Sequence, residues 1–236
     1  MPVIVVKGVS KRFGDYQALK DIDLNVNEGE FFGLFGPNGA GKTTLTRILT
    51  GQLKQDKGKI SVMSIPSSDP IGIKAKIGIV PEAENPPTFL TAREFLELVC
   101  KIRELDAVET RVDKWIKFFD IGDKDDVLCR DLSKGQKQKV ILAAAFIPEP
   151  RLLFLDEPFI NLDPIFQKRL REYLASVIKE GRTIFMCSHI LEIAEKLCTR
   201  AAIINKGAIV AQGTLDEIRA KEGERLEDIF MRLVQE

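Results

Sequence analysis

No charge of one sign dominates this chain: Lys plus Arg and Asp plus Glu both number 35, for a formal net charge of zero. A basic excess able to grip a nucleic-acid duplex is therefore missing, as is an acidic tail that would hold a segment disordered. Cysteine is scarce. Cys100, Cys129, Cys187 and Cys198 include no C-x-x-C pair, so they read as free buried thiols in a reducing compartment. Glycine (17) and proline (11) stand at ordinary levels, which excludes collagen-like and low-complexity chains. No stretch approaches the roughly 18–20 apolar residues of a membrane span, so work at a membrane would need another polypeptide to do the spanning. Met1-Pro2-Val3-Ile4-Val5-Val6-Lys7 lacks a charged leader start and a long apolar run, and reads as a strand. With no internal repeat, the 236 residues, 44% hydrophobic, are read as holding one catalytic core.

What is present alternates between strand and helix. Val3–Val6, Ile22–Val26 and Phe31–Phe35 are β-rich runs; Gly36 to Gly41 is a glycine-rich turn, and Thr43–Thr50 is helical. Ile60–Met63 and Ile77–Val80 read as strands. Pro81, Asn85, Pro86 and Pro87 mark an exposed loop, closed by Thr91-Ala92-Arg93-Glu94, a capping box. Phe95, Leu98, Val99, Ile102 and Leu105 then recur at helical spacing, as do Val112, Trp115, Ile116 and Phe119. Residues from about 88 to 147 are expected to be mainly helical, inserted between β-containing parts. Beyond them, Leu152–Leu155 is a continuous apolar run suited to a parallel strand buried on both faces. Asp163-Pro164 starts a helix that runs to about Lys179-Glu180 and stops at Gly181. Thr183–Cys187, Leu191–Leu197 (helical), Ala201–Asn205 and Ala208–Gln212 complete the alternation, which specifies an α/β sheet with right-handed crossovers.

Gly36-Pro37-Asn38-Gly39-Ala40-Gly41-Lys42-Thr43 fits G-x-x-x-x-G-K-[ST] between a strand and a helix. Backbone N–H groups must turn inward around phosphates, along a path that side chains would block. Lys42 offers a point charge to the β- and γ-phosphates, and the Thr43 hydroxyl suits Mg2+. The helix points its positive end at the anion. Leu152–Leu155 ends in Asp156-Glu157: the first carboxylate suits the surroundings of the same Mg2+, and the second could take a proton from an attacking water. Both could instead cap the following helix. Leu132-Ser133-Lys134-Gly135-Gln136 opens a helix at capping-box spacing, a geometry that also binds anions. His189, the one histidine, follows Thr183–Cys187 at the strand end where ligands bind in α/β sheets.

These residues, in this order, resemble the nucleotide-binding subunits of ATP-binding cassette (ABC) transporters over essentially the whole chain. Gly36–Thr43 matches the family's Walker A, and Leu152–Asp156 its Walker B followed by Glu157. Leu132–Gln136 resembles its signature, Asn161-Leu162-Asp163 its D-loop and His189 its switch histidine. The fold implied is a P-loop NTPase with a RecA-like mixed β-sheet core, an antiparallel β subdomain on the N-terminal side and an inserted α-helical subdomain. Residues 1–87 and 148–236 would form the β-containing core of a single 1–236 ATPase domain, and about 88–147 the insert carrying the signature. By the resemblance Phe13 stacks on adenine, with Tyr16 as the fallback, and Gly36 to Thr44 cradle the phosphates. Thr43, Asp156 and Glu82 hold Mg2+; Glu157 and His189 are catalytic. Ser133, Gly135 and Gln136 would act on the ATP of a second subunit, and Asp163 would link the two sites.

Two positions depart from the family pattern. Glu82, in Val80-Pro81-Glu82, stands where a glutamine is usual, and Lys134 replaces the signature's glycine. Attraction of Glu82 to Mg2+ and repulsion from the γ-phosphate are of similar size, about 3 kcal/mol each at 5 Å and an effective ε near 20, so retained function with altered Mg2+ dependence is expected. With Leu226-Glu227-Asp228-Ile229-Phe230, these departures resemble the branch that exports drugs, lipids or polysaccharides. No regulatory domain is expected after it. The implied partners are a second copy or a related ATPase, plus separate transmembrane permease subunits, at the cytoplasmic face of the membrane and without nucleic acid. A soluble ABC ATPase acting on ribosomes or DNA is the alternative, and a GTPase is disfavoured because Asn205-Lys206-Gly207-Ala208 lacks the aspartate of an N-K-x-D run.

Overall fold

The computed structural model describes residues 1–82, 85–188, 191–219 and 224–234. Along the chain run β1 (Pro2–Phe13), β2 (Tyr16–Asn27), β3 (Phe31–Phe35), α1 (Lys42–Leu49), β4 (Lys57–Val62), β5 (Ile65–Pro66), α2 (Pro70–Lys76) and β6 (Ile77–Val80). Then come α3 (Ala92–Ile102), α4 (Val108–Phe119), α5 (Lys134–Phe146), β7 (Leu152–Asp156), α6 (Pro164–Lys179), β8 (Thr183–Cys187) and α7 (Leu191–Leu197). β9 (Arg200–Asn205), β10 (Ala208–Thr214), α8 (Leu215–Ile218) and α9 (Leu226–Val234) follow.

The strands form two sheets. β2-β1-β4-β5 is antiparallel, with β1 and β2 as a long hairpin. β10-β9-β3-β8-β7-β6 is mixed: β9, β3, β8, β7 and β6 are parallel, and β10 runs antiparallel on the edge. Every residue of β3, β7 and β8 is buried. Period-2 alternation deals their side chains to two cores. Phe32, Leu152, Phe154 and Phe185 join Ile4, Leu19, Leu45 and Leu49 beneath the antiparallel sheet. Phe31, Leu153, Leu155 and Ile184 join Leu96, Trp115, Phe146 and Leu174 on the helical side. There Trp115 lies edge-on to Phe118, Phe146 and Tyr173, with ring centroids 5.5–5.7 Å apart.

Local signals were accurate where a cap is explicit. Thr91/Glu94 and Ser133/Gln136 both close as capping boxes, and Asp163 accepts from Phe166 N–H, 2.9 Å away, ahead of Pro164. All four cysteines are free and buried. One expectation needs correction, and two features were not read from the sequence. Pro86, expected in an exposed loop, is buried, while Asn85, Thr88 and Phe89 near it are exposed; further on, Thr91 pairs with Leu128. Asp69-Pro70 starts α2, a helix not anticipated because its seven residues are too few to show a period. In α3 the core receives Ala92, Leu96 and Cys100, while Leu98 and Ile102, on the stripe read from the sequence, are 39% and 70% exposed.

Candidate functional site

The parallel strands β3, β6, β7 and β8 end on one edge of the sheet, and there a pocket of about 590 Å3 opens, lined by the turn before α1 and by the ends of β6 and β7. Asn38, Gly39, Gly41, Lys42, Thr43 and Thr44 line one wall; Glu82, Asp156 and Glu157 line another. The loop is forced to be glycine-rich. A Cβ on Gly36 would sit 2.3 Å from the Ile204 carbonyl oxygen, and Gly41 has φ +110°, a region closed to most side chains. Gly41 also occupies the N-cap of α1, where no side chain accepts from the helix. Amides of the first turn of α1 are therefore left for a ligand.

Lys42 Nζ donates to the Gly36 and Pro37 carbonyls at 2.7 and 3.1 Å, folded along the loop. Thr43 Oγ1 donates to Glu82 Oε2 at 3.2 Å. Asp156 is 4% exposed. Burial, then the nearby carboxylates of Glu82 and Glu157, push its pKa up to about 7 against the pull of Lys42 and Arg47. Glu157 is 7% exposed and takes φ +50°, a left-handed conformation costing on the order of 1–2 kcal/mol for a residue with a Cβ. Its N–H bonds the Cys187 carbonyl at 2.9 Å, and its Oε2 accepts from Ser188 Oγ at 3.0 Å. This backbone turn aims the carboxylate into the pocket instead of along the strand.

Ser188 is a contributor that sequence reading passed over. It is 1% exposed and directly follows β8. A small polar residue ending a continuously apolar strand was the available signal. Tyr16 lines the pocket and donates from its hydroxyl to the Gly39 carbonyl at 3.0 Å. Phe13 does not line it. That ring lies at the tip of the β1–β2 hairpin, 48% exposed, with Lys11 Nζ 5.5 Å from its centroid. Pro37 and Ala40 border an adjoining recess of about 270 Å3 with Gln17, Lys20 and Asn205.

The remaining predicted residues are not brought to this pocket. Ser133, Gly135 and Gln136 start α5, where the space for a Gly135 Cβ is closed by the Asn161 carbonyl at 2.7 Å. Asp163 caps α6, a bond that lowers its pKa. His189 lies outside the described residues. Among the described residues no three acid, cysteine or histidine side chains form a ready metal cage, and no helix is long and apolar enough to cross a membrane.

Comparison with known proteins gives the same answer by family model, by relatives and by structure. The ABC transporter family model matches residues 19–160. The daunorubicin resistance ATP-binding protein DrrA3 of Streptomyces coeruleorubidus is 35% identical over 232 residues, 97% of this chain and 73% of that protein. The Nod factor export ATP-binding protein I of Bradyrhizobium diazoefficiens is 37% identical over 214 residues, covering 89% of this chain and 70% of that one. A solved ATP-binding subunit of an ABC transporter superposes with TM-score 0.92 at 31% identity, over 98% of this chain and 99% of the other. The dimeric cassette MJ0796 bound to ADP and Pi does so with TM-score 0.84 at 26% identity, over 90% and 98%. With a glycine loop, a lysine and paired carboxylates meeting at one sheet edge, and with these relatives, the chain belongs to the ABC transporter family as an ATP-binding, ATP-hydrolysing subunit.

Proposed function

We propose that this chain binds Mg-ATP in the Lys42–Asp156 pocket, hydrolyses it between two cassettes closed head to tail, and so powers export through a separate membrane-spanning partner. The observation that carries the reading is the division of the site. Lys42, Thr43, Asp156 and Glu157 share one pocket, while the Ser133–Gln136 helix start lies outside it. A phosphate held by Lys42 therefore meets the second helix start only when another subunit supplies it, and two-fold symmetry makes both sites at once.

Within one subunit, Lys42 would exchange its two loop carbonyls for phosphate oxygens, and the open amides of α1 would hold the same anion. The donor set fits Mg2+: the Thr43 hydroxyl and the Glu82 and Asp156 carboxylates are hard oxygen ligands, few enough to leave places for phosphate and water. Bound there, Mg2+ would neutralise charge on the transferring phosphate. Glu157, held by Ser188 and by its own strained backbone, would accept the proton of the attacking water. His189 is assigned contact with the γ-phosphate and Asp163 the link between the two sites. Tyr16, which lines the pocket as Phe13 does not, would meet the nucleoside.

The chain is taken as one ATPase domain, a core of 1–87 and 148–236 with the insert of about 88–147. Closure is selected by ATP because only the closed dimer completes its contacts. The segment around Pro86–Glu94 would pass it to the partner at the cytoplasmic face of the membrane. Export is favoured by the daunorubicin-resistance and Nod-factor-export relatives. The test is the solution mass of Glu157→Gln protein with and without Mg-ATP. A dimer that needs ATP is expected, and a persistent monomer that still binds ATP would refute the closed pair.

A further inference from the structure

The hairpin that brings Tyr16 to the nucleotide pocket outruns its own sheet. β4 pairs with β1 as far as Ser10, opposite Lys57. Lys11, Arg12 and Phe13 run on beyond that point, laddered to Leu19, Gln17 and Tyr16 of β2. The turn is two residues, Gly14-Asp15, closed by the Arg12 guanidinium, which donates to the Asp15 carbonyl at 3.2 Å. Register shifts on both sides of Lys11 interrupt the ladder just before the tip, and such irregularities bend and twist the strand that carries them. A two-stranded ribbon interrupted in this way does not fix its own direction.

Asp56 supplies the support. It stands one residue before β4 and extends that strand's contact with β1. Its N–H donates to the Ser10 carbonyl at 3.0 Å. One of its carboxylate oxygens accepts from Lys11 Nζ at 2.8 Å and the other from the Arg12 N–H at 2.7 Å. The Lys11 ammonium, then the Arg12 amide, hold the Asp56 carboxyl below its ordinary range. The same ammonium lies 5.5 Å from the centroid of the Phe13 ring, and the Lys11 side chain is only 13% exposed. An exposed ion pair by itself contributes little. Here the carboxylate also takes a backbone N–H, so it sets the course of the strand as well as the place of a side chain.

The segment carrying Asp56 is itself anchored. The Gln52 and Leu53 N–H groups bond the Arg47 carbonyl near the end of α1 at 2.8 and 3.0 Å, and Gln55 Nε2 donates to Ser67 Oγ at 2.8 Å. The helix that starts in the phosphate loop therefore carries, shortly past its end, the residue that steadies the tip. On the other flank the tip is tied to the loop directly, by the Tyr16 hydroxyl on the Gly39 carbonyl. Asp56 does not line the nucleotide pocket.

We propose that Asp56 is a positioning residue for nucleotide recognition: through Lys11 and Arg12 it holds the hairpin tip where Tyr16 meets the nucleoside, and it takes no part in holding the phosphates. The inference rests on the ATP-pocket reading and adds to it a residue that touches no nucleotide.

The test is Asp56→Ala in the full chain, a change at an exposed position that should leave the fold intact. It is titrated with Mg-ATP and with Mg-tripolyphosphate, which has the phosphates and no nucleoside. ATP affinity should fall about 3–10-fold, the worth of a hydrogen bond, with tripolyphosphate affinity unchanged. Asp56→Asn keeps an acceptor for the Arg12 N–H and gives up the charge, so its loss should be smaller. Lys11→Met should lose ATP affinity in the same direction. The chain has two tyrosines, Tyr16 and Tyr173, so ring-fluorinated tyrosine gives two 19F resonances. Tyr173, packed against Trp115 and Phe146, is the internal control. ATP should shift the Tyr16 resonance in wild type and shift it less in Asp56→Ala. Equal losses for ATP and tripolyphosphate, an unchanged ATP affinity, or a wild type that binds tripolyphosphate as tightly as ATP would overturn the inference alone. A wild-type chain that binds neither ligand would overturn the ATP-pocket reading, and this inference with it.

Discussion

Helices α1 and α5 both begin beside short glycine-containing motifs, yet their first turns are opposites. α1 starts at Gly41 with no side-chain cap, leaving its amides open towards the pocket. α5 starts with Ser133 and Gln136 satisfying each other's backbone, at 3.2 and 2.8 Å. An uncapped start is unstable alone and asks for an anion; a capped start is stable alone, retaining the Ser133 hydroxyl proton and the first free amides. On the proposed reading the first would hold phosphate within one subunit, and the second would meet phosphate only when another subunit brought it.

Breaking the α1 side should have the larger effects. Glu157→Gln is expected to slow steady-state hydrolysis about 10²–10⁴-fold, the usual worth of a general base, with ATP binding retained; near-normal turnover would remove Glu157 from the role. Lys42→Ala should weaken ATP about 10–100-fold in a binding titration, the value of a charge-assisted bond. An unchanged affinity would refute the assignment of the loop. Asp156 gives a pH signature in the nucleotide-free protein. Its pKa of about 7 lies above the unfolded value of 3.8, so the folded state holds the extra proton between those values. Stability should therefore fall as pH rises from about 4 to 7 and level off above. Asp156→Asn should flatten that decline in a series of thermal melts, and an unaltered pH profile would count against a buried charge there.

On the α5 side effects should be smaller and differently placed. Ser133→Ala removes the cap and should cost about 1 kcal/mol of stability. The ATP affinity of the monomer should not change, because Ser133 does not line the pocket, whereas the ATP-dependent dimer should weaken. A monomer that loses ATP affinity with this change would erase the contrast between the two helix starts.

Much of this was legible in the chain because the relevant physics is local. β3, β6 and β8 lie where continuous apolar runs placed them, and α6 starts at Asp163-Pro164 and ends before Gly181 as its punctuation indicates. The pocket's glycine loop, Lys42, Thr43 and the Asp156-Glu157 pair are contiguous motifs, readable without neighbours. Phe13 was ranked ahead of Tyr16, yet Tyr16 is the one that lines the pocket, because which aromatic meets it depends on how the β1–β2 hairpin tip leans over Gly39. Ser188 had no motif; its role exists only because β8 lies beside β7 and ends level with Glu157. The stripe on α3 was read with the correct period, but which of its residues are buried was not legible: Phe95 and Val99 pack against the core while Leu98 and Ile102 stay exposed, since periodicity reports that two faces differ and not what each will meet.

By itself the sequence determined most of the element types, the phosphate loop and the Lys42, Thr43 and Asp156-Glu157 positions of the pocket, because hydrogen-bond caps, strand burial and backbone sterics act over a few residues. Only the tertiary structure decided that Glu157 turns inward against Ser188, that Ser133 stands away from Lys42, and that Asp56 meets Lys11 and Arg12 at the hairpin tip. Those relations join residues far apart in the chain, and they are settled by how the strands pair and by which helix face the core accepts.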